Sequence, residues 1–248
     1  MGVESRESVG GVAPAATGTP RRAPVYLLRY PQRIEMKVEI WSDIACPWCY
    51  VGKRRFEKAL EQFEHADDVD VVWRSFELDP SAPRTRDVPQ EEVLAEKYGV
   101  SVEQARAMNA RLGTLAKAEG LDLRFDRVQM GNTFDGHRLV HLAAEAGKGQ
   151  EMQERLMRAY FVEGESVGDH ATLQRLGEEV GLDAATVRDT LKSDRFAREV
   201  RADEARARQL GIGGVPFFAI DERYGVAGAE SPDVLLGALQ QAYEESVA

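Results

Sequence analysis

The chain has 248 residues, 43% of them hydrophobic and 30% charged, with a net charge of -10. That is enough apolar content to bury a full core, and the acidic balance argues against a general nucleic-acid binder, which needs a basic face for phosphate. No apolar run is long enough to span a bilayer and the start carries no signal-peptide pattern, so the expected location is the cytoplasm, where structural disulfides are rare and catalytic ones usual.

Residues 1–35 are rich in Gly, Ala, Pro, Ser and Thr, lack sustained periodicity, and read as a disordered N-terminal extension. Met36 then opens "MKVEIWSD". A native flexible tail and a translation start at Met36 both fit that break. "KVEIWS" (37–42) alternates, with Val38 and Ile40 on one face, as a short strand does. The only two cysteines follow, Cys46 and Cys49, in "DIACPWCYVGKRRF". Val51, Phe56, Leu60 and Phe63 then share a helical face, so a helix begins at or just after the cysteines. "DVDVVWRSFEL" (68–78) is a second strand. Strand, helix and strand imply a parallel pair joined by a right-handed crossover.

"DPSAPRTRDVP" (79–89) is a loop on its prolines. "SVEQ" (101–104) fits a capping box, and Ala105, Met108, Leu112 and Leu115 continue as an apolar stripe. "NTFDGHRLVHLAAEAG", "EMQERLMRAYFVEG", "HATLQRLGEEVG", "DAATVRDTLKS" and "DRFAREVRADEARARQLG" add helices punctuated by glycines. None shares a fixed repeat, so a solenoid is not expected. From Gly211 the pattern returns to strands: "PFFAI", a turn at "DER", and "YGVAG". Ser231 as N-cap and Pro232 at the first helical position open a final helix. Two β-rich ends around a helical block suggest one α/β domain with an insertion.

Two thiols separated by two residues admit a structural disulfide, half of a metal site, or a redox centre. A structural zinc needs about four ligands, and there is no second C-x-x-C. His137 and His141 are four apart on one helix, a spacing that packing or surface placement also produces. A disulfide across two residues closes a very small loop and makes a poor staple. The redox reading remains. Cys46 sits where a strand meets a helix, facing unpaired backbone N–H groups and the positive end of the helix dipole, both of which favour thiolate over thiol. Pro47 suits the first helical turn. Cys49 lies one turn on, placed to attack a mixed disulfide at Cys46. Trp48 is expected to be exposed beside the site, and Lys53, Arg54 and Arg55 to form an ordinary solvated helix face.

The strand, the "CPWC" at a helix start, the helical insert and the "GVPFF" before an antiparallel hairpin resemble a thioredoxin-like fold. More closely, "SDIACPWCYVGKRRFE", "NTFDGHRLVHLA", "AYFVEG", "GIGGVPFF" and "GAESPDVL" resemble the DsbA family in its FrnE-like branch, related to 2-hydroxychromene-2-carboxylate isomerases and kappa-class glutathione transferases. The resemblance covers residues 37 to 245. It implies that Cys46 attacks, that Cys49 resolves, and that the Val215–Pro216 bond is cis and packs against the cysteines. Pro216 precedes a strand it could not join centrally, and the Val215 backbone would then be free to pair with an extended substrate. "GIGG" leads into a strand rather than a helix, so it is not a nucleotide-binding loop. Asn132, Thr133 and His137 match the family's helix in the insert, where Asn132 is expected as a helix cap.

The expected architecture is α/β, a thioredoxin-like fold (β-α-β … β-β-α). Residues 36–80 and 205–248 form the thioredoxin-like domain, and 81–204 an inserted α-helical domain. The expected function is thiol–disulfide oxidoreduction by Cys46 and Cys49, with Pro47, Trp48, Val215 and Pro216 binding substrate. The expected partners are protein or small-molecule thiols and disulfides. No bound cofactor, metal, nucleic acid or membrane partner is expected, and glutathione or a thioredoxin-type reductant is left open as co-substrate. Two alternatives stand beside this. One is a glutathione-dependent isomerase or transferase for an aromatic or polyketide-like molecule, which an apolar pocket between insert and core domain would favour. That relative class typically places Ser where Cys46 stands. The other is a non-catalytic binder or holdase.

Overall fold

A computed structural model describes residues 35–247; apart from Glu35, the expectation for residues 1–35 lies outside them. The sheet has four strands in the order β2-β1-β3-β4. β1 (Met36–Ser42) pairs in parallel with β2 (Val69–Ser75) and antiparallel with β3 (Phe217–Ile220), which turns into β4 (Tyr224–Ala227). The turn between β3 and β4 takes positive φ at Asp221 and Glu222. α1 (Pro47–Glu61) connects β1 to β2, and α9 (Pro232–Val247) closes the chain. Ser231 Oγ accepts the Val234 N–H at 3.4 Å, the cap expected of it. This mixed sheet with its β-α-β and β-β-α ends is a thioredoxin-like fold.

Between β2 and β3 run α2 (Gln90–Tyr98), α3 (Val102–Ala118), α4 (Phe134–Glu145), α5 (Gly149–Arg158), α6 (His170–Glu179), α7 (Ala184–Lys192) and α8 (Ala197–Gln209). The capping box at Ser101 and Gln104 is formed in both directions. α5 ends in a π-helical turn, Ala159–Glu163, where a continuing α-helix was expected. Its extra residue per turn places Tyr160 and Phe161 in the interior, both almost fully buried. α8 is continuous through 204/205, where the sequence reading ended the insert. Among the described residues no helix is long and apolar enough to cross a membrane.

β1 is buried on both faces, not on one as its alternation suggested. Val38 and Ile40 join the main core with Ile44, Val51, Phe56, Leu139, Leu156 and Phe218. On the other face Trp41 packs with Ala207 of α8 and with Ile212 and Ala219. The Trp41 indole N–H donates to the Asp203 carbonyl at 3.0 Å. Glu39 shares that face and is fully buried, held by Arg74 and by Arg206 at 2.8 Å. A buried carboxylate survives there because α8 and β2 supply guanidinium partners. That pairing is invisible in a six-residue alternation.

Candidate active site

The register of the sheet brings the two ends of the chain to one place. Trp41, next to last in β1, pairs with Phe217, the first residue of β3. The turn leaving β1 therefore lies beside the segment entering β3, which is where Cys46 and Val215–Pro216 sit. Cys46 is the N-cap of α1, in extended conformation, and Pro47 takes the first helical position. The Cys46 carbonyl accepts the N–H groups of Cys49 (3.0 Å) and Tyr50 (3.3 Å), so the helix starts within the motif. Cys46 Sγ lies 3.6 Å from the Val215 carbonyl oxygen, to which its thiol donates. The Val215–Pro216 peptide bond is cis. Pro216 has no N–H to offer a ladder, and its carbonyl accepts the Gly228 N–H at 2.8 Å.

Cys49 is buried, as is Cys46. Burial pushes the Cys49 thiol well above its ordinary range, with the neighbouring Cys46 adding to the effect. The Ser42 hydroxyl and the Asp43 backbone hydrogen-bond to Cys49 and act the other way. Gln153 of α5 donates to Ser42 Oγ at 3.3 Å. Asp43 holds the turn. Its carboxylate accepts from the Ala45 N–H (3.3 Å), the Leu78 N–H (2.7 Å) and His137 Nε2 (3.3 Å). His137 thus reaches the cysteine turn through Asp43, while His141 pairs with Asp203 at 3.1 Å. The two histidines of α4 serve different carboxylates, and among the described residues no group of three or more His, Cys, Asp or Glu could hold a metal. Thr133, not Asn132, is the N-cap of α4. Asn132 accepts the Phe134 N–H one residue earlier, at 2.9 Å, and its amide reaches Glu77 at 3.4 Å. Ser42, Asp43, Gln153 and Tyr160 escaped the sequence reading. Only Asp43 carried a signal, a lone acid in an otherwise apolar turn.

Lys53, Arg54 and Arg55 are not a solvated face. Lys53 is buried and pairs with Glu57 and with Glu154 at 2.8 Å. Arg54 pairs with Glu57 at 2.7 Å and with Glu154, and Arg55 with Glu119 at 2.7 Å. The helix packs its polar side against α5 and the end of α3, so these cations are neutralised and lend the cysteines little positive potential. Burial opposes the charge of Glu154, yet hydrogen bonds from Arg54, Lys53 and Tyr50 hold its carboxyl below the usual range. A depressed carboxyl stabilises the fold above its unfolded pKa, about 4.3 for glutamate, and loses that contribution as pH falls through the folded value. The melting temperature should therefore fall as pH drops below about 4.3. Glu154→Gln should melt lower than the parent at neutral pH and show a shallower acid slope. An unchanged slope in a thermal melt series would show that Glu154 takes no part in it.

Cys46 opens on a cavity of about 450 Å³ walled by α2 and α3, within the range of small-ligand pockets. Asp43, Cys46, Pro47, Thr133 and Tyr160 lie on its lining, and Trp48 is exposed at its edge, as expected. Cys49 does not line it. α2 is not among the helices the sequence patterns point to, although Glu91 and Glu92 in its first turn, Lys97 in its last and Gly99 in left-handed conformation after it are helix signals. Its Val93 and Leu94 face the cavity, so they lack the partners that make an apolar stripe conspicuous.

A sulfur at a helix N-terminus, open to a cavity, with a second thiol one turn behind it is an arrangement for thiol–disulfide exchange. Residues 37–240 match the family model of the DSBA-like thioredoxin domain. The chain is 51% identical to a probable DsbA oxidoreductase from Streptomyces coelicolor, with a TM-score of 0.81, over 85% of this chain and 91% of that one. It is 30% identical to the uncharacterized protein YwbO of Bacillus subtilis (strain 168), over 79% of this chain and 92% of that protein. The cytosolic disulfide reductase DsbM from Pseudomonas aeruginosa, solved with GSH, shares the fold at 20% identity and a TM-score of 0.61, over 84% of this chain and 99% of that one.

Proposed function

The chain belongs to the DSBA-like thioredoxin domain family, a family of thiol oxidoreductases, and from that we propose a disulfide oxidoreductase in which Cys46 attacks and Cys49 resolves. The observation that carries this reading is the asymmetry of the pair. Cys46 caps α1, lines the cavity and touches the Val215 carbonyl, while Cys49 is sealed behind it. A Cys46 thiolate attacks a substrate disulfide, and Cys49 then displaces the substrate thiol from the mixed disulfide. In reverse, the Cys46–Cys49 disulfide accepts electrons from a substrate dithiol. Val215 offers a backbone edge to an extended substrate, with Pro47, Trp48 and Pro216 around it. The reading includes a cytoplasmic site of action, protein or small-molecule thiols and disulfides as partners, and glutathione or a thioredoxin-type protein as reductant. It takes residues 36–80 and 205–248 as the thioredoxin-like domain and 81–204 as the inserted α-helical domain, with α8 running across the second boundary.

One observation favours a second reading. The cavity beside Cys46 is the pocket expected of a glutathione-dependent isomerase or transferase. Insulin reduction and glutathione conjugation to an aromatic electrophile, measured on one preparation, separate the two. Insulin reduction lost in Cys46→Ser, without conjugation, is the expected result. Conjugation without disulfide exchange would overturn it.

A further inference from the structure

The cavity is electrically unlike the rest of the chain. The protein carries a net charge of -10, yet three cations, Arg86, Lys97 and Arg111, line this one space. Its two carboxylates are already engaged. Asp43 holds the cysteine turn and His137, and Asp79 pairs with Arg86 at 3.3 Å and accepts from Ser81. Lys97 and Arg111 are exposed, and among the described residues neither has an ion-pair partner. Lys97 leans over the Tyr98 ring, its Nζ 5.9 Å from the ring centre. The same space gathers Trp48, Leu78, Tyr98 and Met108, each more than a third exposed. Exposed cations without ion-pair partners and uncovered apolar side chains around one space fit a small molecule with an apolar or aromatic body and a carboxylate.

We propose that the preferred substrate is a small, apolar disulfide bearing carboxylate groups, its body in the α2–α3 cavity and its charge on Lys97 and Arg111. This rests on the oxidoreductase reading and names its substrate class. The Cys46 thiolate bonds to one substrate sulfur and expels the other as a thiolate. Cys49 then bonds to Cys46 and releases the second. The dithiol loses two electrons and the substrate gains them; the Cys49 proton and the proton Cys46 gave up to solvent on ionising end on the two released thiols.

The test compares three disulfides with the reduced full-length protein: anionic 5,5′-dithiobis(2-nitrobenzoate), neutral 4,4′-dithiodipyridine and cationic cystamine. Each rate is divided by that compound's rate with 2-mercaptoethanol to remove intrinsic reactivity. The anionic compound should exceed the neutral one by about tenfold at low salt, the lower end of electrostatic steering in a charged cleft, and cystamine should be slowest. High salt should compress the ratio. Lys97→Glu with Arg111→Glu should bring the anionic-to-neutral ratio to one or below. The ratio is internal to each preparation, so partial misfolding does not imitate the effect. Equal normalised rates in the parent, or a ratio that survives the double substitution, would overturn the proposal. So would a protein disulfide reacting faster than all three after the same normalisation. Failure of every disulfide to react above the free-thiol rate would instead overturn the oxidoreductase reading itself.

Discussion

Cys46→Ser should reduce disulfide exchange to the uncatalysed background, whereas Cys49→Ser should leave the first attack intact and accumulate a mixed disulfide on Cys46. The two sulfurs are near neighbours in sequence but not in environment. A substrate entering by the cavity meets Cys46, which lines it, and cannot reach Cys49, which does not. Serine at 46 removes the one sulfur that lines the cavity, and a hydroxyl is no substitute nucleophile in exchange. Serine at 49 removes the group proposed to displace the substrate from Cys46. Non-reducing gels after exposure to a disulfide-bonded protein separate these outcomes. A Cys46→Ser protein that still turns over, or a Cys49→Ser protein that releases its substrate as fast as the parent, would reverse the roles.

Gly52→Ala should lower the melting temperature and slow exchange, although alanine ordinarily strengthens a helix. Gly52 lies in α1, less than two turns from Cys46. A Cβ there would stand 2.8 Å from Cγ of Pro216 and 3.5 Å from Ala229 Cβ. The propensity gain is about 1 kcal/mol. Overpacking costs about 1–3 kcal/mol, and a ring closed onto its own backbone cannot swing aside as a flexible side chain would. The clash should win, and it acts where α1 is seated against Pro216, so the Cys46 to Val215 contact shifts with it. The contrasting substitution is Gly113→Ala in α3, whose Cβ would meet nothing nearer than Phe125 at 3.9 Å. That change should leave exchange intact and the melting temperature equal or higher. If both alanines behave alike in a thermal melt, close packing at Gly52 is not what positions Pro216.

How far residues alone led can be judged element by element. The strands, the helix starting at the cysteines, the cap at Ser101 and the closing hairpin each follow from patterns a few residues long, and they stand close to where those patterns put them. Cys46, Cys49 and Trp48 stand out because chemistry and local punctuation coincide there, whereas Val215–Pro216 joins them through the resemblance to the DsbA family. What stayed hidden is what depends on distant chain. Glu39 is a buried charge only because Arg74 and Arg206 arrive from β2 and α8. Lys53 to Arg55 resemble any exposed basic run until Glu57, Glu119 and Glu154 close on them. Ser42 matters through Gln153, more than a hundred residues away in sequence. α2 was missed for a related reason, since its apolar side faces a cavity and its signals lie in its ends.

Alkylation of the reduced protein at neutral pH, quenched early and mapped by peptide, reads the asymmetry of the two thiols without any assumed substrate. Cys46 lines the cavity, whereas Cys49 is enclosed and kept as a thiol by its burial. Label should therefore accumulate on Cys46 well before any reaches Cys49. Equal labelling, or label first on Cys49, would contradict the assignment of Cys46 as the attacking sulfur and of Cys49 as the sulfur that resolves.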